Sequence, residues 1–303
     1  MRLGYNTNGL AHHRLIDAIA LLAEEGYQSV AITLDAGALD PYDDPSNLGR
    51  QVNAVRAALD RHGLARVVET GARYLLNPRK KHAPTLMDPD PARRALRLDF
   101  LRRSVDLAAD LGAECVSLWS GRAADSGTDE VQMDRLAVAL GPLLDHAEKA
   151  GMILAFEPEP GMFIDTLDQF ARLDERLRHP LFQLTIDLGH VHCLNEGDIP
   201  TLLRQWGTRV RNIHIEDMRE GVHEHLMFGQ GTMDFKSILG ALGQIGYEYG
   251  IHVELSRHSH MGVEAVQAAM AFLRPMLAIA PPIESPAGCR ESSCPGATAE
   301  PLR

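Results

Sequence analysis

Short apolar stretches alternate with longer amphipathic stretches along the chain. Each apolar stretch ends in polar residues, and each is followed by a segment in which apolar positions recur with a helical period. This alternation is typical of strands that are each followed by a helix. We predict strands at 3–6, 29–34, 66–69, 115–119, 153–157, 184–187, 210–215 and 250–255, and helices near 12–25, 46–62, 92–111, 130–150, 166–178, 198–206, 234–245 and 263–278.

Glycines mark the ends of several predicted helices. They follow a helical turn and precede a strand, as a C-terminal cap does. Eight strand–helix units within about 280 residues predict an α/β protein built as a single (β/α)₈ TIM barrel over residues 1–280. An open doubly wound sheet would have fewer strands and a glycine-rich phosphate turn after the first strand. The capping glycines are Gly26, Gly63, Gly112, Gly151 and Gly246.

The composition changes beyond residue 280. Residues 281–303 read PPIESPAGCRESSCPGATAEPLR and hold few apolar side chains that could pack against the barrel. We therefore predict a disordered, flexible tail over 281–303 that is dispensable for fold and chemistry. Cys289 and Cys294 have no neighbouring histidines or cysteine pairs, so we expect them not to form a zinc site.

The charge narrows the choice of partners. With 41 acidic and 30 basic residues the chain carries a formal net charge of −11, and 45% of its residues are hydrophobic, which excludes disorder throughout. Binding a duplex backbone requires a concentrated basic face, so we expect no nucleic-acid partner. The sequence shows neither an apolar run of about 18 residues nor a leader pattern. We therefore expect no membrane partner, a cytoplasmic location and reduced thiols.

The connection after the third strand is unusually long. Residues 70–91 exceed the usual length of a strand–helix loop, and such loops form either a lid or substrate wall or a plain surface excursion. The basic run at 79–81, Arg-Lys-Lys, either holds a small anionic group such as a sugar phosphate or is a solvated loop. Both alternatives stay open at this point.

Four ligand-type side chains lie where the last four predicted strands end. Glu157 ends strand five, Asp187 ends strand six, His214 lies in strand seven and Glu254 lies in strand eight. The carboxyl ends of barrel strands meet on one rim, so these side chains should lie close together. Because a buried carboxylate needs a counter-charge, mixed oxygen and nitrogen donors in this pattern predict a divalent-metal site.

These residues belong to a set of motifs that resembles a known group of proteins. The motifs are EPEPG at Glu157, D-x-x-H at Asp187 and His190, H-I-x-D at His214 and Asp217, HEHLMFGQG at 223–231, and the final-strand Glu254. The set resembles the xylose isomerase-like TIM barrel superfamily, the sugar phosphate isomerase/epimerase group, which also includes ketose 3-epimerases, inosose dehydratases and endonuclease IV. The resemblance spans about residues 1–278.

The resemblance implies an activity and a cofactor. In ketose epimerases of this superfamily the positions matching Glu157, Asp187, His214 and Glu254 hold one Mn²⁺, Co²⁺ or Mg²⁺, and Zn²⁺ is a further candidate. The positions matching Glu157 and Glu254 exchange protons with the sugar carbon, so these two are the candidate catalytic residues. The resemblance thus implies a metal-dependent isomerase or epimerase that acts on a sugar, ketose or related polyol carbonyl through an enediolate.

Other reactions run on the same scaffold, so alternatives stay open. One is a metal-dependent dehydratase or lyase that acts on an inosose or keto-glycoside. Another is a catalytically silent metal-binding barrel that serves as an assembly partner. A DNA-repair nuclease is disfavoured, because endonuclease IV requires histidines where this chain has Glu69, Trp119 and Ser120. The expected partner is a small carbohydrate substrate, and the expected assembly is a homodimer or homotetramer.

Six further residues are candidate substrate ligands. The epimerases use the position of His190 to hydrogen-bond a substrate oxygen, and they carry an arginine near the place of Arg219. His223 and His225 either contact substrate or join His190 in holding a second metal, as the matching positions of endonuclease IV do. Glu69 and Trp119 lie near the ends of strands three and four and complete the set.

Overall fold

The computed structural model describes residues 1–123 and 125–277, in which eight parallel strands close into a barrel. The predicted α/β TIM barrel is therefore confirmed. The predicted tail at 281–303, with Cys289 and Cys294, lies outside the described residues. The barrel strands are β1 (Arg2–Asn6), β2 (Ser29–Thr33), β3 (Ala65–Glu69), β4 (Val116–Leu118), β5 (Leu154–Phe156), β6 (Phe182–Asp187), β7 (Val210–Ile215) and β10 (Gly250–Val253).

The barrel closes between the first and the last of its strands. The order around it is β1-β10-β7-β6-β5-β4-β3-β2, and Arg2 pairs with Gly250 at the closing seam. Between β7 and β10 the chain adds an antiparallel hairpin of β8 (Asp217–Arg219) and β9 (Val222–Leu226), which was not predicted. Its sequence, DMREGVHEHL, lacks the apolar alternation by which a half-buried strand is recognised.

The helices surround the barrel. Their starts follow capping rules: Asp44 accepts the backbone N–H groups of Ser46 and Asn47, and Thr166 forms a capping box with Gln169. No helix in the described ranges is long and apolar enough to cross a bilayer. The helices are α1 (Leu15–Glu24), α2 (Pro45–His62), α3 (Pro91–Leu111), α4 (Asp129–Ala150), α5 (Leu167–Leu177), α6 (Leu188–Cys193), α7 (Ile199–Trp206), α8 (Phe235–Gln244) and α9 (Gly262–Leu277).

One helix, α6, was not predicted from the sequence. The α6 helix has six residues, too few to show a helical period, and it starts at the end of β6. Asp187 caps it, because its Oδ1 atom accepts the backbone N–H of His190 at 2.9 Å. The side chain that ends β6 therefore also fixes the position of the helix that carries His190.

The inside of the barrel is divided into two halves. In one layer of the interior β2 to β5 contribute a small apolar cluster, whereas β6, β7 and β10 contribute Thr185, Asn212 and His252. The β1 residue Gly4 and the β10 residue Gly250 lie against the ring of His252, and a Cβ atom on either would collide with it. The apolar cluster consists of Ala31, Val67, Cys115 and Ala155.

Candidate active site

The four predicted metal ligands meet at the carboxyl end of the barrel. One ligand atom from each of Glu157, Asp187, His214 and Glu254 lies within 4.8 Å of all the others. The His214 Nδ1 atom is 3.0 Å from Glu157 Oε1 and 2.9 Å from Glu254 Oε2. The two glutamates therefore approach the same edge of one imidazole ring from β5 and β10.

This donor set fits a divalent cation. The Asp187 Oδ2 atom is buried and has no hydrogen-bond partner among the described residues. Three carboxylates packed around one imidazole repel one another unless a proton or a cation lies between them. Mixed carboxylate and imidazole donors suit Mn²⁺, Co²⁺ and Zn²⁺, so the residues present fit such an ion.

The two glutamates differ in acidity. Burial raises the pKa of Glu157 to about 8, although the neighbouring His214 works against this shift. Burial acts in the same direction on Glu254, but there His214 and the more distant His225 and His190 outweigh it and lower the pKa. At His214 the carboxylates of Glu157, Glu69 and Glu254 outweigh burial and raise the pKa.

Asn8 positions Glu254. Its Nδ2 atom donates to Glu254 Oε1 at 2.8 Å, while its backbone carbonyl accepts from Arg73 Nη2 at 2.9 Å and from Ser259 Oγ at 2.8 Å. Sequence analysis missed Asn8 because it lies in a 3₁₀ turn, Thr7–Leu10, rather than in a strand. The sequence did offer a signal, because Asn8 comes two residues after the first strand, on the rim where barrel enzymes assemble their sites.

A second group of ligand-type atoms lies beside the first. The His223 Nε2 atom is 3.1 Å from His190 Nε2 and 3.3 Å from His225 Nε2. His223 and His225 are two residues apart on β9, so both side chains point to the same side of the hairpin. The His190 Nε2 atom is 3.4 Å from Asp187 Oδ2, which lies between the two groups.

Glu216 is a further buried carboxyl that sequence analysis missed. Neither of its carboxyl oxygens has a hydrogen-bond partner in the described part of the chain, and burial raises its pKa well above the usual value. Its Oε2 atom is 3.7 Å from His225 Nδ1. The alternation of β7 offered a signal, because Glu216 is two residues beyond His214 and so points into the same space.

A cavity of about 740 Å³ opens above these groups. The long loop after β3 forms one wall of it through Arg73, Tyr74, Lys81 and His82, which favours the substrate-wall interpretation of that loop. Trp119 lies in the same wall, where the guanidinium of Arg97 is 4.9 Å from the centre of its ring.

Three predicted substrate ligands are placed differently from expectation, and one of them is His190, which is buried and does not line the cavity. Glu69 lines the cavity, but its Oε1 atom contacts His214 Nε2 at 2.9 Å. Arg219 does not line the cavity: it is exposed at the end of β8 and donates from Nη2 to the carbonyl of Gln230 at 2.8 Å. The tight hairpin, which sequence analysis did not predict, turns Arg219 away.

Comparisons with known proteins agree with this architecture. L-ribulose-5-phosphate 3-epimerase UlaE from Salmonella paratyphi C (strain RKS4594) is 26% identical over 182 residues, which are 60% of this chain. The chain spans 64% of the length of that curated relative. The crystal structure of D-allulose 3-epimerase from Methylomonas sp. has a TM-score of 0.72 and 20% identity, covering 91% of this chain and 98% of that chain.

A solved structure with a bound metal shares the fold. The IOLI protein, described with a binding zinc atom, has a TM-score of 0.73 and 18% identity, covering 92% of this chain and 99% of that chain. The family model described as xylose isomerase-like TIM barrel matches residues 19–276. Since this match covers most of the chain, the protein belongs to the xylose isomerase-like TIM barrel family.

Proposed function

We propose that the protein is a divalent-metal-dependent isomerase or epimerase that acts on a sugar, ketose or related polyol carbonyl. The observation that carries the proposal is the approach of Glu157 and Glu254 to the same His214 nitrogen, at 3.0 and 2.9 Å. This arrangement sets two carboxyl groups around one small space at the bottom of a cavity. The similarity to a 3-epimerase of a sugar phosphate supports the choice of reaction.

The proposed cofactor is Mn²⁺, Co²⁺ or Mg²⁺, with Zn²⁺ as a further candidate, held by Glu157, Asp187, His214 and Glu254. When bound, such an ion polarises the substrate carbonyl and neutralises the enediolate oxygen that forms. The unpartnered Asp187 Oδ2 atom supports this assignment. The three-imidazole group of His190, His223 and His225 offers a second place for a cation, and a metal-to-protein ratio above one would reveal it.

In this proposal Glu157 and Glu254 carry out the proton transfers. One carboxylate takes the proton from the carbon next to the carbonyl, and the electron pair of the broken C–H bond forms the enediolate. The other carboxyl group returns a proton to the opposite face of that carbon, so the carbon is inverted without any change of oxidation state. Return of the proton to the neighbouring carbon would give an aldose–ketose isomerisation instead.

The cavity wall supplies the substrate contacts in this proposal. Trp119 offers an apolar face to the sugar carbons, and His223 and His225 offer ring nitrogens to its hydroxyls. Arg73, Lys81 and Arg257 line the same cavity, which makes ketose phosphates worth comparing with free ketoses. The homodimer or homotetramer and the cytoplasmic location stay predictions from the sequence.

Deuterium exchange tests the function. The full chain is loaded with Mn²⁺ and incubated in D₂O with free ketoses, ketose phosphates, inososes and keto-glycosides, and products are read by NMR. Deuterium at the carbon next to the carbonyl together with an epimer or aldose supports the proposal. An unsaturated product identifies the dehydratase or lyase alternative. Metal uptake without exchange on any substrate would contradict the enzymatic proposal and favour the assembly-partner alternative.

A further inference from the structure

Both nitrogens of the His214 ring have carboxylate partners. Its Nδ1 atom faces Glu157 and Glu254, on the side where the proposed cation would lie, and its Nε2 atom is 2.9 Å from Glu69 Oε1. Glu69 comes from β3, on the opposite side of the barrel from β7. Its side chain therefore spans the interior to reach the far edge of the ring.

A chain of hydrogen bonds continues from Glu69 into the barrel. Asn212 donates from Nδ2 to Glu69 Oε1 at 2.9 Å and accepts at Oδ1 from His252 Nδ1 at 2.8 Å. Ser29 Oγ then donates to His252 Nε2 at 2.8 Å. Glu69 fixes which atoms donate along this chain of hydrogen bonds. If the Asn212 amide were flipped, its oxygen would face the oxygen of Glu69, and neither atom could donate.

Asn212 Nδ2 also lies 3.1 Å from His214 Nε2, so both nitrogens face the same Oε1 atom of Glu69. Ser29, Asn212 and His252 are fully buried, so water does not replace a lost bond, and an unpaired buried polar group costs about 1–3 kcal/mol. Glycine weakens a strand, yet Gly4 and Gly250 both lie against the His252 ring at positions where a Cβ atom would collide with it. The backbone of two strands is thus adapted to hold this histidine inside the barrel.

We propose that Glu69 is a positioning residue that holds the Nε2 proton of His214, so that Nδ1 is the atom presented to the cation. Asn212, His252 and Ser29 hold Glu69 in place. A metal-bound histidine is commonly oriented by a carboxylate on its other nitrogen, and loss of such a partner lowers metal affinity about 10–100-fold. The inference rests on the proposed function only in requiring that a cation binds at His214.

Co²⁺ titration followed by its visible absorption tests this role without any substrate. Glu69→Leu removes the acceptor at similar volume and should raise the Co²⁺ dissociation constant about 10–100-fold and change the absorption spectrum. Glu69→Gln keeps an acceptor oxygen and should lose less affinity. Ser117→Ala is the matched control, because it removes a buried interior bond, from Thr185 Oγ1 at 3.1 Å, that does not involve His214.

A second measurement reports the proton itself. In the Zn²⁺-loaded chain, NMR should show a slowly exchanging His214 Nε2 proton that disappears in Glu69→Leu and persists in Glu69→Gln and Ser117→Ala. Equal Co²⁺ affinity of Glu69→Leu and the wild type would overturn the inference, as would an equal loss in Ser117→Ala. If Glu69→Leu does not fold, an unchanged Co²⁺ affinity and spectrum in Asn212→Leu would overturn it. A wild type that takes up no cation would overturn the proposed cofactor as well.

Discussion

The two halves of the barrel interior differ in chemistry. In one layer below the rim, β2 to β5 carry small apolar side chains such as Val67 and Ala155, whereas β6, β7 and β10 carry Thr185, Asn212 and His252. Three of the four proposed metal ligands lie above the polar half, and Glu157 on β5 stands at the border. The proposed ligands are thus concentrated on the side where this layer is polar, and Ser29 and Glu69 reach that side from β2 and β3.

The largest expected effect on metal binding and turnover comes from removing the proposed metal ligands. Asp187→Ala and His214→Ala each remove a donor from a set whose ligand atoms lie within 4.8 Å of one another. We expect both variants to lose the bound cation and all measurable turnover. Elemental analysis after dialysis checks this, and Cys115→Ala in the apolar half is the control that should keep its metal. Full metal content in both rim variants would refute the assignment.

The two glutamates should show the next largest effect. Glu157→Gln and Glu254→Gln keep the side-chain shape but cannot take up the substrate proton. Turnover should fall about 10²–10⁴-fold in each, which is the usual contribution of a positioned acid or base. The rate of deuterium exchange measures the loss directly. Near wild-type exchange in both variants would exclude a mechanism with two glutamates.

A smaller effect is expected at Asn8. Asn8→Ala removes the hydrogen bond to Glu254 Oε1, and a bond to a charged group contributes about 1.5–3 kcal/mol. At 1.4 kcal/mol per factor of ten, turnover should fall at least about 10-fold while the fold is kept. Asn53→Ala on the exposed face of α2 is the control. Unchanged kinetics in Asn8→Ala would show that Glu254 needs no support from the turn after β1.

The smallest effect on function should come from the apolar half. Val67→Ala leaves a void in the interior cluster and should lower the free energy of unfolding by about 0.5–3 kcal/mol. Metal affinity and turnover of the folded variant should match the wild type. Urea denaturation gives the stability and calorimetry gives the affinity. A large loss of metal affinity in Val67→Ala would show that the apolar side of the interior also supports the metal site.

The fold was predictable because its signals are local and repeated. Every barrel strand was predicted to within two residues of its observed ends, since each combines an apolar run with a following helical period. The positions of Asp187 and Glu254 were predictable because these residues end strands, and parallel strands end at a common rim. These predictions required no knowledge of how the side chains pack.

The remaining features depend on contacts between distant segments. Glu69 contacts a histidine on the opposite strand, 145 residues away, and no spacing in the chain indicates that pairing. Arg219 was expected near the sugar because the epimerases carry an arginine near its place, but it lies exposed at the end of β8 in the hairpin. Glu216 was not among the candidate residues of the sequence, although it is fully buried beside the candidate site.

The closing seam between β1 and β10 has a consequence for folding. Arg2 and Leu3 pair with Gly250 and Ile251, so the seam joins parts of the chain separated by most of its length, and such non-local pairing forms slowly. Glu254 and its partner Asn8 follow the two strands of this seam. The complete ligand set therefore exists only after ring closure, and an ion that binds it stabilises the closed form by mass action. The rate of ion uptake during refolding would then report the rate at which the seam between β1 and β10 closes.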